Sequence, residues 1–154
     1  MERLRVTVRE ARAEDRSLLY LMAEETLHPR AAQEGHPERF DERALLDLLE
    51  RARVYVGETQ SDDIAGYVAF DTDDDTVWLR CLCVGPAYEA RAVGRQLLEW
   101  VEGIAFAEGR ARLSAYVPVD DRPSRHLYEG HDFVPAPAAD RPDMIVLEKR
   151  LPAT

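Results

Sequence analysis

The chain has 154 residues, 45% of them hydrophobic and 32% charged, which suits one compact domain over residues 1–154 that buries roughly two-thirds of its extended surface and excludes intrinsic disorder. Its 20 basic and 30 acidic residues give a formal net charge of -10; such a surface repels a phosphate backbone, so nucleic acid is not an expected partner, whereas a cationic substrate would be drawn in. No run approaches the ~20 apolar residues of a membrane span, and the N-terminal stretch lacks the apolar core of a signal peptide, so no membrane partner is expected.

In chain order, Val6 and Val8 alternate with polar residues as in a half-buried strand. Glu14 and Asp15 open a helix that carries Leu18, Leu19, Leu21 and Met22 at helical spacing. His28 to Gly35 contains Pro29 and reads as a loop, and a second helix from Pro37 carries Phe40, Leu45, Leu48 and Leu49 on one side. Val54 to Val56 is a short strand ending at Gly57. The turn Gln60 to Asp63 leads into the strand Ile64 to Phe70, which suggests a hairpin. The acidic run Asp71 to Asp75 is read as a solvated turn, too short for a metal loop.

Val77 to Val84 is a strongly apolar strand broken by Gly85-Pro86, and Val93 to Ala107 is a helix ending before Gly109. Cys81 and Cys83 sit two apart on that strand. They make no disulfide framework and are too few for structural zinc, so free thiols in a reducing, cytoplasmic setting are expected. Leu113 to Val117 is a strand, Ser124 to Glu129 a short helix, and Phe133-Val134 and Met144 to Leu147 two final strands around a Pro-rich loop. The order β-α-α-β-β-β-α-β-α-β-β predicts an α/β (α+β) fold, in which antiparallel strands lead through one crossover helix to a parallel neighbour.

The informative stretch runs from Leu82 to Leu98: an apolar strand, a breaker, a small-residue loop and a helix. A helix N-terminus presents free N–H groups and a partial positive charge, and small residues let an anion approach them. Arg91 and Arg95 add cationic side chains. By itself this is also ordinary α/β structure, and neither of the familiar glycine-rich nucleotide loops is present.

Further strings converge with it. Val6 to Ala11 followed by Glu14-Asp15, Gly66-Tyr67-Val68, Val84-Gly85-Pro86, Val93-Gly94-Arg95-Gln96-Leu97-Leu98, and Leu127-Tyr128-Glu129 with Phe133 together make the chain resemble the GNAT superfamily of acetyl-CoA-dependent N-acetyltransferases along nearly its whole length. The resemblance implies a mixed central sheet of about six to seven strands flanked by about four helices. It implies acetyl-CoA as cosubstrate and a small-molecule or peptide amine as acceptor. It implies that backbone groups of Leu82, Cys83 and Val84 pair with the pantetheine arm. Amides from Ala90 to Arg95, taking in Arg91, Ala92, Val93 and Gly94, would hold the pyrophosphate. Tyr128 falls where the family places a general acid for the departing thiolate, and Asp121 and Ser124 where it often places an Asn and an Ala beside the cofactor. In the family pattern Gln/Arg-x-x-Gly-x-Gly/Ala, Glu89 holds the first position and Ala92 that of the middle glycine. A left-handed conformation at Ala92 would cost roughly 1–2 kcal/mol.

Amide formation requires a neutral amine, a donor to polarise the thioester carbonyl, and an acid for the thiolate. Tyr128 is the expected acid, against an ordinary buried tyrosine. Glu24 and Glu25, at the expected end of the first helix, are candidate amine-binding groups or bases, against a solvated helix end. His28 and His36 read as loop residues, His126 and His131 lack metal-ligand company, and Trp78, Tyr67 and Tyr116 could line an acceptor pocket or belong to the core. Three function classes remain: a catalytic amine acetyltransferase, a degenerate cofactor-binding or regulatory module for which Glu89 and Ala92 speak, or an unrelated α/β interaction domain. Homodimer formation through the last strands is left open.

Overall fold

The computed structural model describes residues 3–136 and 141–152. Its elements are β1 (Thr7–Glu10), α1 (Arg16–Gln33), α2 (Glu42–Arg51), β2 (Arg53–Glu58), β3 (Ile64–Asp73), β4 (Thr76–Val84), α3 (Val93–Ala107), β5 (Arg112–Pro118), α4 (Arg122–Glu129), β6 (Val134–Ala136) and β7 (Met144–Arg150). The order is the expected one. The strands form a seven-stranded mixed sheet, β1-β2-β3-β4-β5-β7-β6, in which β4 and β5 are parallel while β1–β2, β5–β7 and β6–β7 are antiparallel. Part of the Pro-rich loop expected before β7 falls on 137–140, outside the described residues.

Three local readings are corrected. The acidic run Asp71 to Asp75 is a turn only at its end, since β3 continues through Asp73. Residues His28 to Gly35 are not a loop: α1 runs on through Pro29 to Gln33. A proline in a helix interior removes one backbone donor. The segment nonetheless buries Ala31, and Leu27 just before it packs against the core. It closes on Gly35, at φ 80, with the Gly35 amide bonding the Ala32 carbonyl and His36 that of Ala31. That paired closure on a left-handed residue satisfies two orphan carbonyls; the stop signal was Gly35, not Pro29. The second helix does not begin at Pro37 either. A single 3₁₀ turn covers Pro37–Arg39, and Asp41 caps α2 by accepting from the Ala44 amide at 3.1 Å.

The chain divides into two compact units, Met1–Ala69 with Cys81–Leu98, and Phe70–Arg80 with Glu99–Thr154. In the first, α1 and α2 pack on each other and bury Leu19, Met22, Ala23, Leu45 and Leu49 with Val54, Val56, Tyr67, Ala69 and Cys83. Arg9 ties β1 to β2 and to the turn before α1, meeting Glu58 at 2.8 Å and Asp15 at 2.9 Å. In the second, β5 and β7 pair over seven residues, with buried Ala115 opposite Leu147. Lys149 of β7 reaches Glu102 of α3 at 3.0 Å, and α4 packs against β7.

Candidate cofactor site and acid

The C-terminal half of β4 is apolar enough to be buried, and the protein places it close to β3. A Cβ at Gly66 would lie 2.7 Å from the Cys83 carbonyl oxygen, so only glycine permits this approach. The Gly85 amide continues the pairing by donating to the Ala65 carbonyl at 2.8 Å. On its other side β4 keeps register with β5 for three pairs, Thr76 to Trp78 against Arg112 to Ser114, although it is nine residues long. Leu82 and Val84 are half-buried and Cys83 is buried.

After β4, Gly85 and Pro86 start a single 3₁₀ turn over Pro86–Tyr88, and Glu89 is extended and exposed. Ala90 and Ala92 then both take positive φ, 60 and 66. The left-handed conformation at the family's middle-glycine position is therefore real here, and it occurs twice within three residues. Turns of this kind gather successive N–H groups into an anion-binding concavity. Directly behind it α3 begins at buried Val93 and Gly94, with Arg95 exposed and Arg91 half-buried beside it. The loop is anchored from below by Gln96, whose side chain bonds both Leu4 and the Ala92 carbonyl.

Cys83 faces α1, with its Sγ 3.0 Å from the Thr26 hydroxyl, which itself donates to the Met22 carbonyl. Burial pushes the Cys83 thiol up to about 11, the Thr26 hydrogen bond and the Arg30 charge working the other way and Glu89 adding to the rise. Burial likewise pushes Cys81 up to about 12, with Cys83 adding to it. Tyr67, fully buried, turns its hydroxyl toward Cys81 and is a core residue.

Glu24 and Glu25 are exposed in the middle of α1, not at its end, because the helix continues past them. Tyr20 is pushed up to about 12 by loss of hydration and by hydrogen bonding with Glu24, with Glu42 acting in the same sense. His28 stacks on Phe40, ring centres 5.0 Å apart, and His36 pairs with Glu38.

The remaining candidates belong to the second unit. Tyr128 is buried at the end of α4 with its ring 5.1 Å from Phe133. Asp121 is the N-cap of α4, accepting from the Ser124 amide at 3.2 Å and from the Ser124 hydroxyl at 2.8 Å. The two residues thus hold each other, a helix-capping role their sequence positions had not suggested. Trp78 stacks on Tyr116 at 5.4 Å, with Arg80 over Trp78 and Arg141 over Tyr116. Sequence reasoning missed Thr26 and Gln96, since neither residue type carries a signature where it stands.

No curated protein matches the sequence. Solved structures do match in fold. They include a PaiA N-acetyltransferase from Thermoplasma acidophilum in complex with coenzyme A, at 18% identity and a TM-score of 0.79, covering 95% of this chain and 99% of that one. An acetyltransferase of the GNAT family from Staphylococcus aureus superposes at 14% identity and a TM-score of 0.79, covering 96% and 99%. The ribosomal-protein-S18-alanine N-acetyltransferase of Escherichia coli does so at 22% identity and a TM-score of 0.72, covering 94% and 93%. The model of the acetyltransferase (GNAT) family matches residues 16–133, from the start of α1 through the loop after β4 to Phe133. With that match over most of its length, the chain belongs to the GNAT family of acetyltransferases.

Proposed function

We propose that the protein transfers an acetyl group from acetyl-CoA to a primary amine of a small molecule or peptide, by direct attack within a ternary complex. The observation that carries this reading is the loop from Glu89 to Gly94: two left-handed alanines followed at once by a helix N-terminus, in a member of an acetyltransferase family. Such backbone strain is costly and is retained where a surrounding structure uses it. The small side chains of Ala90, Ala92 and Gly94 fit a diphosphate approaching the amides, and Arg91 and Arg95 add positive charge. Bound there, acetyl-CoA supplies the activated acyl group.

The chain's own residues do the rest. Leu82, Cys83 and Val84, beyond the register β4 shares with β5, offer strand-edge groups to an extended ligand, and the Val84 amide polarises the thioester carbonyl. Holding both substrates together supplies much of the acceleration. The amine, its proton lost to solvent, attacks the thioester carbonyl, and the C–S bond breaks as the Tyr128 hydroxyl gives its proton to the departing thiolate. The proton shed by the new amide nitrogen restores Tyr128 through water. Glu24 attracts the cationic amine from the α1 surface. Cys83 is assigned no nucleophilic part: it is buried with its Sγ on the Thr26 hydroxyl, and burial pushes its thiol up. A cytoplasmic location fits two free thiols kept reduced.

A second reading rests on Glu89, whose carboxylate stands where the family carries a neutral or cationic group: a module that holds coenzyme A weakly and catalyses little. Two measurements separate the readings. Acetyl-CoA raises the melting temperature under both, and thiol release over a panel of amines occurs only under the first. No thermal shift at millimolar acetyl-CoA would remove both.

A further inference from the structure

Gln96, on the first turn of α3, forms an unusual set of bonds. Its side-chain amide donates to the carbonyls of Leu4 and Ala92, and its side-chain oxygen accepts from the Val6 amide at 3.1 Å. Beside it the Leu4 amide donates to the Arg91 carbonyl at 2.9 Å. The Arg91 carbonyl is therefore held by the N-terminal segment, and the Ala92 carbonyl by Gln96, whose side chain adds a second bond to the one its backbone amide donates at 3.2 Å. A peptide group is planar and trans, so its C=O and N–H point in opposite directions. Fixing the Arg91 carbonyl fixes the Ala92 N–H, and fixing the Ala92 carbonyl fixes the Val93 N–H, both aimed away from the clamp. These are amides of the left-handed loop and of the helix start.

We propose that Gln96 is a positioning residue that pre-aims the Ala92 and Val93 amides at an anionic diphosphate, by clamping the loop to residues 4–6. This rests on the coenzyme A reading of the loop. The clamp also supplies bonds that support a left-handed conformation at Ala92 without glycine. Glutamine suits the position because it supplies two donors and an acceptor together; glutamate keeps the shape and the bond from Val6 but loses both donors, and leucine loses all three bonds.

The test compares Gln96→Leu and Gln96→Glu with the wild type by calorimetry, using coenzyme A and, separately, pantetheine, which has the thiol tail but no phosphate. Circular dichroism and melting curves check the fold, and Gln96→Glu serves if Gln96→Leu does not fold. Loss of one or two hydrogen bonds' worth of preorganisation predicts roughly tenfold weaker coenzyme A binding in both variants, with pantetheine affinity unchanged. Faster amide exchange of the 89–95 segment should accompany it. Equal weakening for both ligands would make Gln96 merely structural, and unchanged coenzyme A binding would remove the clamp; either result overturns the proposal. A wild type that binds no coenzyme A overturns the parent reading with it, and that outcome is visible before any variant is made.

Discussion

At the residue scale the two most informative side chains are Tyr128 and Cys83, and their chemistry separates them. Tyr128 is buried against Phe133 at the end of α4, and it reads as an acid only through its position in the family pattern. Tyr128→Phe keeps the ring and its packing while removing the proton. Turnover is expected to fall by about two orders of magnitude with coenzyme A affinity unchanged, the usual size of a general-acid contribution. Unchanged turnover in an active enzyme would return Tyr128 to the core. For the cysteines the sign is set by burial. A thiol held near 11 is about one-thousandth thiolate at pH 8, and one held near 12 less still. Native protein is expected to resist iodoacetamide at both Cys81 and Cys83, and to react readily only in denaturant, as mass spectrometry of alkylated peptides can show. The same shift bears on stability. Protonated thiols favour the fold fully below their ordinary value of 9.0, and that contribution drains away as pH rises toward 11.

At the element scale the difference between what could and could not be read from sequence is physical. Helix α3 was legible to its ends because Leu97, Leu98, Val101 and Ala105 repeat at helical spacing and all are buried. Helix α1 was not, because Pro29 looks like a breaker, whereas the burial of Ala31 and the closure at Gly35 carry the helix past it. The loop of the candidate site was legible as small and N-terminal to a helix, but not as strained: alanine gives no local sign of positive φ, where glycine would. Nor could its support be read, since Gln96 finds Leu4 and Val6 far away in sequence. Strain of this kind is measurable. Ala92→Gly removes a left-handed penalty of roughly 1–2 kcal/mol and adds the larger unfolded-state entropy of glycine, so it should stabilise the protein by about 0.5–1 kcal/mol in urea denaturation. A loss of stability would mean that the loop is relaxed. The opposite sign is expected at the start of α4. Asp121 satisfies the Ser124 amide and hydroxyl, and Asp121→Ala should cost about 1 kcal/mol by the same measurement. If Asp121 instead serves a bound ligand, the variant would keep its stability and lose coenzyme A affinity.

At the scale of the whole molecule the dominant quantity is charge. A net charge of -10 on 154 residues sets a field that acts on whatever approaches. Under the proposed reaction that field has opposite consequences for the two substrates. A protonated amine is attracted, which suits an acceptor that must arrive as a cation before losing its proton. Coenzyme A carries several negative charges and is repelled until it meets the local positive end of α3 and the guanidinium groups of Arg91 and Arg95. Salt shortens the reach of both effects, to about 10 Å at 0.1 M. Raising ionic strength from about 0.02 to 0.2 M should therefore raise the KM for a cationic amine several-fold while lowering that for acetyl-CoA. A neutral acceptor such as a hydroxylamine derivative, measured in the same series, should show only the second change. Parallel salt dependence for cationic and neutral acceptors would mean that the acidic surface serves solubility alone, and that selection of the amine is made at short range within the acceptor site.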